Sequence, residues 1–246
     1  MTTDTCKTLI LGTSYISAGT EGAQNYGARV VKLWVDVALK LNPNAEVLIV
    51  DSASPGWDDR MILGDNRSSV QVYQFSDNVG HLNTTGRDGW GRALSLGVET
   101  ATEVGYDYIA YIDCDNILAL PITPMIEKMR RTGVKVSIPW DTTYNFLENG
   151  IMLLDVQYLK ESRFVERYDW ENRTRSADPM EIPEMVCERL FKDELFVLPI
   201  RTFRDDLNRL TVNNIEHFFP YGIDALTHVR DFAVYERFLA MKGIEL

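Results

Sequence analysis

Three cysteines, three histidines and nine prolines are all that 246 residues contain of these types. Cys6, Cys114 and Cys187 are odd in number and far apart, so they frame no disulfide scaffold and fit a reducing, cytoplasmic setting. No run approaches the roughly 18 unbroken apolar residues that a membrane-spanning helix needs. The opening MTTDTCKTLILG lacks a basic segment leading into an apolar core, so no secretory signal is expected. The Asn-x-Ser/Thr sequons at Asn66, Asn83 and Asn172 then carry no expectation of glycosylation. Internal repeats, low-complexity stretches and flexible linkers are absent as well. Positive charge is in deficit: 25 Lys and Arg against 36 Asp and Glu give a net charge of −11, a surface that repels nucleic acid and anionic membrane.

What remains is an ordinary globular composition, 45% hydrophobic and 25% charged, enough for one large domain or two small ones. Hydrophobic periodicity in the first half alternates strand and helix. Thr8–Leu11 is a short apolar run closed by Gly12. Residues 26–41 carry Val30, Val31, Trp34, Val37, Ala38 and Leu41 at helical spacing until Asn42-Pro43 stops them. Glu46–Val50 and Val70–Phe75 read as strands, Trp90–Val104 as a helix stopped by Gly105, and Tyr108–Ile112 as a fourth strand. Near-continuous apolar strands separated by helices imply a parallel sheet covered on both faces.

In such sheets ligands bind at the carboxyl ends of the strands. Gly12-Thr13-Ser14, Asp51-Ser52, Asp77-Asn78-Val79-Gly80 and Asp113-Cys114-Asp115 all fall there. Beyond residue 120 the pattern loosens. A helix is predicted from Thr123 to Gly133, strands over Val134–Ile138 and Gly150–Leu154, and a polar, aromatic loop over Trp140–Asn149. Pro183–Phe191 reads as a helix, Leu195–Ile200 and Asn213–Phe219 as strands, and Ala225–Met241 as an amphipathic closing helix. The whole reads as one mixed α/β domain over 1–246, with strands of another direction added in the second half.

The segment YIAYIDCDN is the most informative. In extended chain, residues i and i+2 point the same way, so Asp113 and Asp115 are expected to converge at the tip of a buried strand. Paired carboxylates repel and raise each other's pKa unless a cation lies between them, and an all-oxygen set suits Mg²⁺ or Mn²⁺ with phosphate oxygens completing the shell. Two solvated loop aspartates are the plain alternative. Haloacid-dehalogenase phosphatases also end a strand in Asp-x-Asp, but there the motif closes the first strand of the core, whereas three strand–helix units precede it here.

VLIVDSAS (47–54), DNVG (77–80), GWGRALSLGVETA (89–101) and YIAYIDCDNILAL (108–120) together resemble, in order and spacing, a GT-A glycosyltransferase, most closely family 2. The resemblance covers roughly residues 7–120. It implies a nucleotide-sugar-binding half over about 1–120 and an acceptor-binding half over about 121–246. It further implies that Gly12, Thr13, Ser14, Asp51, Asn78, Gly80 and Asp113 contact the donor. Where the family often carries Arg-Asn this chain has Leu94-Ser95, so Arg87 and Arg92, near a helix N-terminus that favours anions, are the candidate substitutes. ENGIMLLDVQYL (148–159) is similar to the Gly-containing strand of GT-A enzymes generally, retaining family 8 included.

From the same resemblance Asp113, Asp115 and the late His217 would hold Mn²⁺ or Mg²⁺, with His228 as a competing ligand. Glu184 would be the base of an inverting transfer, with Glu181 and Asp141 as alternatives, and Trp140, Asp141 and Asn149 would meet the acceptor. The implied reaction moves a sugar from a nucleotide diphosphate donor to a hydroxyl of a glycan, lipid-linked precursor, protein or small molecule. Rival readings are a retaining transferase, a dehalogenase-like phosphatase using Asp113 and Asp115, and a silent nucleotide-sugar-binding module. A sugar-phosphate nucleotidyltransferase is disfavoured, because its Gly-rich loop with arginine and lysine is missing after Leu11.

Overall fold

The computed structural model describes residues 6–16, 21–79, 88–141, 146–172, 183–205, 209–218 and 222–246. Its larger sheet runs in the order β3 (Val70–Gln74), β2 (Glu46–Asp51), β1 (Thr8–Ser14), β4 (Tyr108–Ile112), β8 (Ile151–Asp155), β6 (Val136–Asp141) and β7 (Phe146–Leu147), with β9 (Leu195–Leu198) also pairing β6. The first four strands are mutually parallel. β8 runs antiparallel to both β4 and β6. A smaller sheet joins β10 (Thr202–Arg204), β11 (Ala225–Thr227) and β5 (Asn116–Leu118).

The period-2 pleat explains why the central strands are apolar throughout. Ile10, Ile49, Ala110 and Leu153 enter one core, against the helices Glu21–Leu41, Thr123–Thr132 and Phe232–Met241. Their neighbours Leu9, Leu48, Ile109 and Leu154 enter the other, against the helices Gly89–Val104, Phe164–Tyr168 and Pro183–Phe191. Both faces are covered, as the sequence predicts. The architecture is α/β with a mostly parallel first half and mixed-direction strands after residue 120. Among the described residues no helix is long and apolar enough to cross a membrane.

The differences from the sequence reading lie where elements are short. β1 continues through Gly12 to Ser14. Trp140 and Asp141 close β6, and Phe146–Leu147 pairs with them, so the expected Trp140–Asn149 loop begins inside paired strand and holds β7 before its closing turn. Residues 213–219 hold the short helix Ile215–Phe218 where a strand was predicted. The predicted helix over 225–241 divides into β11 and the helix Phe232–Met241, whose N-cap Asp231 accepts from the Ala233 amide. Three-residue strands carry too little periodicity to compete with a neighbouring helical pattern.

Candidate active site

The carboxyl ends of β1, β2 and β4 meet on one edge of the large sheet. β4 stops at Ile112, and Asp113–Asn116 forms a turn closed by the Asn116 amide on the Asp113 carbonyl at 2.8 Å. The two aspartates therefore approach through a turn and not through the alternation of an extended strand. The chain then leaves as β5, which pairs antiparallel with β11.

Asp113 is held on both oxygens. The Thr13 and Tyr111 hydroxyls donate to Oδ1, and the Trp90 indole donates to Oδ2 at 3.3 Å. The Asp113 amide donates to the Gly150 carbonyl at 2.8 Å. Burial pushes the Asp113 carboxyl up to about 8, and the nearby Asp115 charge adds to it, against the lowering effect of the two hydroxyls. Asp115 is different: its side chain is 48% exposed, with the Asn116 amide 3.3 Å from Oδ1 and His228 Nε2 3.6 Å from Oδ2.

His228 reaches this position through strand register. Thr227 is the partner of Asn116 across β11 and β5, so the next residue on one strand lies opposite the preceding residue on the other. His217, the first choice from sequence, sits exposed on the Ile215–Phe218 helix. Its placement at a strand end is therefore corrected, and the histidine facing Asp115 among the described residues is His228. Among those residues no group of three His, Cys, Asp or Glu side chains is placed to hold a metal ion together, so Asp115 and His228 stand as a facing pair. The arrangement is an open one, carboxylate and imidazole on the solvent side and Asp113 behind.

Beneath the turn lies a polar layer of which the sequence singles out only Asn149. Glu148 is 3% exposed; its Oε1 accepts from the Gly150 amide at 3.2 Å, and its Oε2 is 3.8 Å from Arg204 Nη1. Asn116 and Thr227, both buried, pair with each other in register across β5 and β11. A Cβ on Gly150 would collide with Asn116 Nδ2 and come within 2.9 Å of Glu148 Oε1, which explains the glycine. Asn149, also buried, completes that turn. In sequence, a glutamate before Asn-Gly looks like any turn carboxylate; only β10, three residues long, reveals its arginine.

Several predicted donor contacts have other employment. Asp51 is 0% exposed and accepts from the Ser14 hydroxyl at 2.9 Å, the Ser54 amide at 2.8 Å, the Ser54 hydroxyl, and the Gln74 amide at 2.9 Å. It rivets the ends of β1, β2 and β3 and presents no face to a ligand. Ser14 is committed to Asp51, and Thr13 to Asp113. Gly12 is buried inside β1, where a Cβ would meet Cys114 Sγ at 2.7 Å and the Trp34 ring at 2.8 Å, so its role is packing. Arg92 pairs with Asp77 at 3.1 Å and its guanidinium lies 3.7 Å over the Phe75 ring and 5.5 Å from that of Trp170. That sandwich ties the loop after β3 to the Gly89–Val104 helix. Asn78 is exposed on this loop. Trp140 is half-buried against the second core. Glu184 lies in the first turn of Pro183–Phe191 and Asp141 at the end of β6. Gly80, Arg87 and Glu181 lie outside the described residues. One exposed ring went unnoticed: Tyr15, 51% exposed, just past β1.

The sequence matches the family described as glycosyl transferase family 2 over residues 23–180. A search of curated proteins finds no match. Solved structures share the fold. A nucleotide-diphospho-sugar transferase from Desulfovibrio desulfuricans G20 is 16% identical, with a TM-score of 0.54 over 97% of each chain. An active-site mutant of LgtC is 10% identical, with a TM-score of 0.54 over 98% of this chain and 96% of the other. A glycosyltransferase involved in glycosylation of the PBCV-1 major capsid is 13% identical, with a TM-score of 0.52 over 97% of this chain and 100% of its own. At these identities the likeness concerns the fold, which is of the GT-A type.

Proposed function

The chain belongs to glycosyl transferase family 2, and on that premise we propose that it moves a sugar from a nucleotide diphosphate sugar to an acceptor hydroxyl at the Asp113–Asp115–His228 cluster, with a divalent cation. One observation carries this reading: the Asp115 carboxylate and the His228 imidazole, from two chain segments, face each other at 3.6 Å at the carboxyl end of β4, where the Asp115 charge also acts on Asp113. The donor types suit such an ion, since a carboxylate oxygen and a ring nitrogen stand 3.6 Å apart on the open side. Asp113 is costly to ionise unless a cation offsets the paired charge, and the open side toward solvent leaves room for water and diphosphate oxygens. The imidazole tips the preference from Mg²⁺ toward Mn²⁺. When bound, the ion neutralises charge gathering on the leaving diphosphate.

Asp115 and His228 would hold the ion from the open side and Asp113 from the protein side. The rigid platform riveted by Asp51 would carry the nucleoside, with its base against the Tyr15 ring. Glu184 would accept the acceptor's proton as its oxygen bonds to the anomeric carbon and the bond from that carbon to the diphosphate oxygen breaks, inverting the configuration. A retaining course is the second reading. It is favoured by the buried Asn149-Gly150 turn, which touches Asp113 directly through the Gly150 carbonyl.

Transfer measured with a panel of nucleotide sugars and hydroxyl acceptors tests the proposal. Asp115→Ala is expected to abolish transfer with an unchanged circular dichroism spectrum; a fully active variant would end the reading. The anomeric configuration of the product then chooses between the inverting and retaining courses.

A further inference from the structure

His228 stands in the left-handed region, φ +57°, which a residue other than glycine occupies only when its surroundings hold it there. Two tyrosine hydroxyls from two different helices hold the residue that follows it. Tyr235, on Phe232–Met241 and 1% exposed, accepts the Val229 amide at 3.3 Å and donates to the Asp115 carbonyl at 3.2 Å. An amide only donates and a carbonyl only accepts, so the direction of the Tyr235 proton is fixed. Tyr26, on Glu21–Leu41, donates to the Val229 carbonyl. The residue after His228 is therefore gripped on both sides, and one of the two grips extends to the backbone of Asp115.

We propose that Tyr235, seconded by Tyr26, is a positioning residue that sets the His228 imidazole against the Asp115 carboxylate at the spacing a divalent cation requires. The proposal rests on the metal reading above. Neither tyrosine touches the ion; each acts through the backbone that carries a ligand, and removing such support costs metal affinity about tenfold to a hundredfold.

The test is Mn²⁺ affinity of the purified full chain, read from the electron paramagnetic resonance signal of the free ion. Tyr235→Phe keeps the buried ring and removes only the hydroxyl. It is expected to weaken Mn²⁺ binding at least about tenfold, with Tyr26→Phe weakening it less. In a His228→Ala background Tyr235→Phe should cost less than it does in the wild type, because part of its effect passes through the imidazole. Phe238→Leu, which disturbs the same helix but leaves both tyrosine hydroxyls in place, should leave affinity unchanged. Wild-type affinity in Tyr235→Phe, or losses that simply add in the double variant, would overturn the positioning role while leaving the metal reading intact. A wild-type chain that takes up no Mn²⁺ would instead remove the metal reading, and this inference with it.

Discussion

Asp113 carries a costly charge. Burial and the Asp115 charge hold its proton to about pH 8, whereas the unfolded chain releases it near 4. Between those values the metal-free folded state binds more protons than the unfolded one, so this group lowers stability as pH rises. Asp113→Asn removes that penalty. The melting temperature of metal-free Asp113→Asn minus that of the metal-free wild type is therefore expected to climb from pH 5 to pH 9; a flat or falling difference would contradict the placement. The aspartate pair was legible in the sequence because an apolar strand running into Asp-x-Asp is a local pattern. His228 is legible only as a competitor to His217, because its position depends on the register of two three-residue strands distant in the chain. Asp51 was read as a ligand group because a strand-end carboxylate shows in the sequence and its four hydrogen-bond donors do not.

The Gly89–Val104 helix shows how an element delivers site residues. Buried Asp88 caps it, accepting from the Gly91 amide at 2.7 Å, and its second oxygen accepts the Tyr168 hydroxyl at 2.7 Å. Trp90 is thereby set in the first turn, where its indole reaches Asp113 and its ring meets Tyr111 edge-on at 5.5 Å. Losing the cap and the acceptor of a buried hydroxyl together is expected to cost about 3 kcal/mol. Asp88→Ala should lower the urea midpoint accordingly at unchanged slope; a loss below about 0.5 kcal/mol would show that the cap does not set the helix start. Periodicity located this helix to within a residue of its true beginning. The cap's second bond is not legible in the sequence, because its partner Tyr168 lies eighty residues away on another short helix.

At the scale of the whole molecule, the parallel half was legible because each strand is buried on both faces and each helix has a clear apolar stripe. The second half was less so, since it closes the site with short strands and a small sheet whose register carries the information. That register joins a turn at residue 115 to a histidine more than a hundred residues later, and the account of function depends on the junction. Family membership sets aside the phosphatase alternative and leaves the choice of donor open to experiment. The most direct measurement is a thermal-shift titration of wild type and Asp115→Ala with uridine and guanosine diphosphate sugars, each with and without Mn²⁺. A donor is expected to raise the melting temperature of the wild type only when the ion is present, and to leave Asp115→Ala unmoved. Equal stabilisation without the ion, or in the variant, would contradict a cation-bridged donor at this site.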